Sequence, residues 1–221
     1  MATKALLAEL SGVARRHHSW DVRFESAAGV EVTRKVRGGV RVDLVVQGEE
    51  EMLELDADGV LEPRTLRPLF VSDVVAAVPE SAVWSPFDSE QQLREALVGT
   101  ARVAYSTGPS GKAFLDLLER WGLEQVMEER LVRAAPGTPV GSLLAAGQAD
   151  LGFQQRSELA DLAGIRVLGP LPGTARIRST FSGALLARAA KPALAREVLG
   201  FLGSEEVEGR VVAAGMMLAR A

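Results

Sequence analysis

The chain has no cysteine, one tyrosine, two histidines and 5% aromatic residues among its 221. Without a thiol there is no disulfide, no thiolate nucleophile and no thiolate metal site. With only His17 and His18, adjacent in sequence, the usual nucleophile–base and acid–base constellations are not visible. They read as a solvated helix cap, where a cation suits the dipole. No apolar run approaches the length of a membrane span. Positive charge is not in excess either: the formal net charge of -4 argues against nucleic acid or an anionic membrane as the main partner. What remains is a globular composition, 47% hydrophobic and 24% charged, long enough for one large domain or two small lobes.

The most informative stretch is Ala101–Gly111 running into Lys112-Ala113-Phe114-Leu115. It reads as a strand, a tight Gly/Pro/Ser turn and an amphipathic helix. Phe114, Leu117, Leu118 and Trp121 recur on one helical face. The first helical turn has N–H groups without intrahelical partners. Gly108 and Gly111 leave that turn open, and Ser106, Thr107 and Ser110 bring hydroxyl donors. Such a turn suits a small anion without a charged side chain; an ordinary capped strand-to-helix turn has the same composition.

The same alternation runs throughout. Helices are predicted over 3–16, from Gly29 toward Arg37, from Glu49 to Leu55, and from Ser89 to Gly99, with Ser89 and Gln92 as a capping box. Further helices are predicted after Pro139, around 157–162, over 192–202 and over 204–214 with Ser204 as N-cap. Strands are predicted at 20–25, 43–46, 69–78, 101–105, 149–153, 165–168 and 177–186. Helices between short buried strands indicate parallel βαβ units. Glu49-Glu50-Glu51 reads as a charged first turn, and Tyr105, Trp20, Trp84 and Trp121 as packing residues; Arg156 reads as an exposed helix-start arginine.

Four segments then occur in a telling order: Tyr105–Gly111, Pro139–Leu144, Gly147–Gln155 and Val167–Pro172. With Val22–Ser26 and Val42–Val46 before them, the chain resembles the molybdate-binding-like substrate-binding proteins of ABC transporters, from Thr3 to about Met216. The resemblance implies an α/β type II periplasmic-binding-protein fold: two α/β lobes joined by two crossover strands, with an oxyanion in the cleft. Lobe one would comprise 1–73 and 184–221, and lobe two 74–183. The family's first strand has no counterpart here, so lobe one would keep an open sheet edge that pairs another segment or a second copy of the chain.

Carried over residue by residue, the resemblance implies ligand donors at Ser26, Gly29, Ser106, Ser110, Gly111 and Val140, with Gln155 where the family has a tyrosine. With no acid–base, nucleophile or metal-ligand constellation visible in the residues, no enzyme, metal or cofactor is expected. The implied partners are a small molybdate- or tungstate-like oxyanion and the membrane subunits of an ABC importer, and the implied location is periplasmic. The opening residues lack the pattern of a signal peptide, so a cytoplasmic sensor of the same fold stays open.

Overall fold

The computed structural model describes residues 2–160 and 162–220. The chain divides into two compact units, one built from the residues up to Ser72 and from Ser179 onward, the other from Asp73–Arg178.

In the first unit, α1 (Lys4–His18) presents Leu6, Leu7, Leu10, Val13 and Ala14 to a core shared with Leu69, Phe70 and Leu185. The 3.6-residue period of those apolar positions is what makes the segment a helix with one buried stripe. The helices α8 (Pro192–Leu202) and α9 (Glu208–Ala213) close the same core through Val198, Leu199, Leu202 and Val211. A second core lies under α2 (Gly29–Arg37) and α3 (Glu49–Ala57) and is built from Val36, Val45, Met52, Leu55, Leu61 and Ala184. Strand β1 (Leu44–Gly48) pairs antiparallel with β7 (Arg178–Leu185), Leu44 opposite Leu185. Next to β7 runs β2 (Arg67–Pro79), whose Phe70 and Val71 also pair with the short β8 (Met217–Leu218).

The second unit is organised by the later half of β2. Val74, Ala76 and Val78 face one core, with Leu93 and Leu97 of α4 (Glu90–Gly99) and Phe114, Leu117 and Leu118 of α5 (Pro109–Arg120). Val75 and Ala77 face the other, with Ala104, Val140 and Leu144. Side chains alternate across a strand, so a strand covered on both faces must be apolar at every position. That is why 74–78 carries no polar residue. Strand β5 (Leu151–Gln155) pairs antiparallel with β2, Val74 opposite Gln155, and parallel with β3 (Val103–Tyr105). In turn β3 pairs parallel with β4 (Leu131–Arg133), which follows the short α6 (Glu124–Met127). The helix α7 (Val140–Ala145) leads into β5, and β6 (Ile165–Pro170) adds to β2 antiparallel.

Three predicted elements differ. Residues 20–25 do not form a strand. Val22 and Phe24 do alternate onto the first core, but among the described residues no ladder partner lies alongside. The backbone there is tied instead by the Ser11 hydroxyl, which donates to the Val22 carbonyl at 2.5 Å. The segment after Gln155 forms only a 3₁₀ turn, Arg156–Glu158, with Asp161 outside the described residues. Ser204 does not cap a helix; its hydroxyl turns back to the Phe201 carbonyl, and a 3₁₀ turn separates it from α9.

Candidate functional site

The strand-to-helix turn after β3 is the densest gathering of expected donors. Ser106 and Ser110 are buried, and their hydroxyls share a 2.9 Å hydrogen bond. A hydroxyl has one proton and two lone pairs, so the pair keeps one proton to direct elsewhere. Pro109 at N1 brings no N–H. The Gly111 amide, expected to face a ligand, donates to the Gly108 carbonyl at 3.0 Å. Gly111 serves the turn in another way. A Cβ there would overlap the Ser106 carbonyl oxygen, with the carbonyl carbon at 2.7 Å and the Ser106 hydroxyl oxygen at 3.1 Å. Below the turn, Phe114 stacks on Phe153 at 4.4 Å between centroids and Tyr105 lies 6.4 Å from Phe114, fixing α5 against β5.

Gln155, at the end of β5, is buried in the same unit. The Val140 amide is not open to a ligand: it donates to Gln154 Oε1 at 2.6 Å, while Gln154 Nε2 donates to Glu158 Oε2 at 2.6 Å. The helix start that the resemblance assigns to a ligand is thus capped by a neighbouring glutamine.

The first unit holds Ser26, exposed in an irregular segment, and Gly29 at the start of α2. Here the structure adds a group that the residue pattern hid in a charged first turn. The Glu51 carboxylate lies against Gly48, the N-cap of α3, and its Oε1 is 3.4 Å from where a Gly29 Cβ would stand. The two helix starts therefore come with a carboxylate of their own, which suits their dipoles and gives this corner an acceptor beside its donors.

A second charged feature was not anticipated. Asp73, whose side chain is 8% exposed, accepts from Arg176 Nη2 at 2.6 Å and from Arg178 Nε at 2.8 Å and Nη2 at 3.3 Å. Burial pushes its carboxyl up, but hydrogen bonds from Arg178 and Arg176, with both their charges, outweigh this and hold it below the ordinary carboxylate range. Its one sequence signal is an aspartate inside the apolar run 69–78. A carboxyl depressed on folding stabilises above its unfolded value of about 4 and loses that contribution as pH falls through the lower folded value. Asp73→Asn should therefore flatten the acid limb of stability, so that thermal melts of parent and variant converge as the pH falls below about 4. An unchanged gap down to acid pH would contradict the role.

The remaining candidates are structural. His18 stacks on Trp20 at 4.3 Å, and both histidines face Glu206, His18 Nε2 at 3.1 Å. Trp84 packs edge-on to Phe87, Arg94 covers the Trp121 ring, and Arg156 is exposed. Among the described residues no group of three His, Asp or Glu is arranged to hold a metal ion, and no helix is long and apolar enough to cross a membrane.

The model of the bacterial extracellular solute-binding protein family matches residues 1–217. The chain belongs to this family. Solved structures agree on the fold. A protein described as the substrate-binding domain of a molybdenum ABC transporter from Clostridium difficile superposes with a TM-score of 0.83 at 18% identity, covering 99% of this chain and 96% of that one. The periplasmic molybdate-binding protein of Azotobacter vinelandii gives 0.76 at 21% identity over 99% and 96%. This solute-binding protein has the type II periplasmic-binding-protein fold. A curated relative, the aconitate isomerase of a Pseudomonas species, is 29% identical over 175 residues, 79% of this chain. The chain spans less than two thirds of that relative's length, 66%.

Proposed function

We propose that this solute-binding protein captures a small oxyanion of molybdate or tungstate type outside the cytoplasm and delivers it to the membrane subunits of an ABC importer. The observation that carries the reading is the buried Ser106–Ser110 hydroxyl pair at the start of α5, a twelve-residue helix. It is a pair of neutral hydroxyls, and neutral dipoles of this kind can hold a compact anion. Gln155 adds a side-chain amide from the same unit. A helix start gives about 0.3–1 kcal/mol toward an anion when exposed and up to about 2 when partly buried. Micromolar affinity requires about 8 kcal/mol, so the hydroxyls and amides must share the work. Calorimetry with molybdate, tungstate and sulfate tests this. Ser110→Ala should weaken the preferred oxyanion by about tenfold or more, since one neutral donor to a charged acceptor is worth about 1.5–3 kcal/mol. Equal affinity in a folded Ser110→Ala protein, or no oxyanion binding in the parent, removes the reading.

A second reading, an enzyme on the same fold, is favoured by the aconitate isomerase relative and by Glu51 beside Gly29. A carboxylate next to ligand-facing donors is the group that a proton shift needs. Interconversion of aconitate isomers, followed by NMR with the parent chain and with Glu51→Gln, decides it: turnover lost in Glu51→Gln supports the enzyme, and no turnover in the parent ends it.

A further inference from the structure

Arg176 and Arg178 stand two residues apart, Arg176 extended (φ −58°, ψ 123°) and Arg178 opening β7. Residues at i and i+2 of an extended chain share a side, and both guanidiniums reach the same Asp73 carboxylate. The stoichiometry is uneven. Arg178 alone, through Nε and Nη2, already pairs Asp73 in the two-pronged manner that satisfies a carboxylate. Arg176 is a second cation on a buried anion that is neutralised without it, which leaves a local charge of +1 in a chain whose net charge is -4. Nor are the two spent. Asp73 takes only Nη2 from Arg176, and the Nη1 groups of both arginines and Nε of Arg176 have no bond to it. Both side chains stay nearly half exposed, 47% and 46%. A strut that merely tied β2 to the residues before β7 would need neither the second cation nor the exposed forks. The Val74 amide already makes that tie, donating to the Ile177 carbonyl at 2.8 Å.

We propose that Arg176 and Arg178, held in place by Asp73, form a subsite for a carboxylate group of a small organic acid. Asp73 itself demonstrates that a carboxylate fits these forks. By anchoring one edge of each guanidinium it removes the rotamer freedom that an isolated arginine would lose on binding. The outward edges then offer parallel N–H donors to a second carboxylate, whose charge completes the cluster. The subsite shares no residue with the donors proposed for the oxyanion, so either assignment can fail alone.

Calorimetric titration of the full chain with citrate, succinate and sulfate is the test. Citrate binds the parent; Arg176→Gln, which leaves the Asp73–Arg178 pair intact, weakens it by about tenfold or more. Arg23→Gln, at an exposed arginine outside both proposed sites, leaves citrate affinity within about twofold. Arg176→Lys keeps the charge and loses the fork, and recovers only part of the affinity. In the parent protein citrate slows hydrogen exchange across residues 174–181, a readout that does not depend on any variant folding. The proposal is overturned by no citrate binding at about 10 mM, by an unchanged affinity in folded Arg176→Gln, or by no protection of 174–181. Sulfate binding as tightly as citrate with the same loss in Arg176→Gln overturns the carboxylate assignment in favour of inorganic anions.

Discussion

Gly111→Ala should yield a chain that does not hold its fold under conditions where the parent is fully folded. The added methyl group would occupy the position of the Ser106 carbonyl oxygen, with the carbonyl carbon at 2.7 Å. That obstacle is backbone, at the end of β3 and inside a buried turn, so no rotamer change relieves it. The turn must open, which separates Ser106 from Ser110 and exposes the first turn of α5. Enforced clashes are among the few causes of single-substitution costs above about 4 kcal/mol, and a natural domain has only about 5–15 kcal/mol in all. Gly108→Ala is the matched control. No atom lies within 4 Å of its Cβ position and its φ is −87°, so its melting temperature should stay close to the parent's. If thermal unfolding of Gly111→Ala falls within a few degrees of the parent, the close packing of this turn is wrong.

The second large effect is expected at Phe114. Its side chain is fully buried and lies flat on Phe153 at 4.4 Å, with Leu117 and Leu118 one turn further on. Truncating such a ring costs about 3–5 kcal/mol, from lost transfer energy plus the cavity left behind. The cavity sits between α5, which carries the Ser110 hydroxyl, and β5, which ends in Gln154 and Gln155. Phe114→Ala should therefore lower urea stability and also weaken oxyanion affinity, although no atom of Phe114 is a proposed donor. Phe114→Leu should recover most of both. Full affinity with lost stability would mean that the donors do not depend on the packing beneath them.

Much of this was legible in the residues because the period of the apolar positions and the turn chemistry agreed. The α5 stripe of Phe114, Leu117 and Leu118 and the Gly/Pro/Ser turn before it each pointed to a helix start at the same place. The apolar, β-rich run 69–78 pointed to the long strand β2. Residues 20–25 misled because alternation reports burial, and burial on one side does not supply a hydrogen-bonding neighbour. The site was less legible for a related reason. A free helix start can be recognised locally, but whether it is free depends on residues distant in sequence. Gln154 reaches the Val140 amide from β5, and Glu51 reaches Gly29 from another helix. The Asp73 cluster joins residues more than a hundred positions apart, and only the odd aspartate in an apolar run hinted at it.

The division of the chain has a consequence for how the protein is made. Residues 73–178 are one contiguous segment, whereas the other unit needs both ends of the polypeptide. The buried face of α1 packs into a core completed by Leu185, Val198, Leu202 and Val211. Emerging from a ribosome at about 5–20 residues per second, α1 is synthesised early and waits roughly ten seconds or more before those partners exist. During that interval the inner unit has everything required for its own cores, while Leu6, Leu10 and Val13 have only the early part of theirs, Leu69 and Phe70. Folding during synthesis therefore runs from the contiguous inner unit outward, and α1 is a segment that a ribosome-bound chaperone would meet without its final partners.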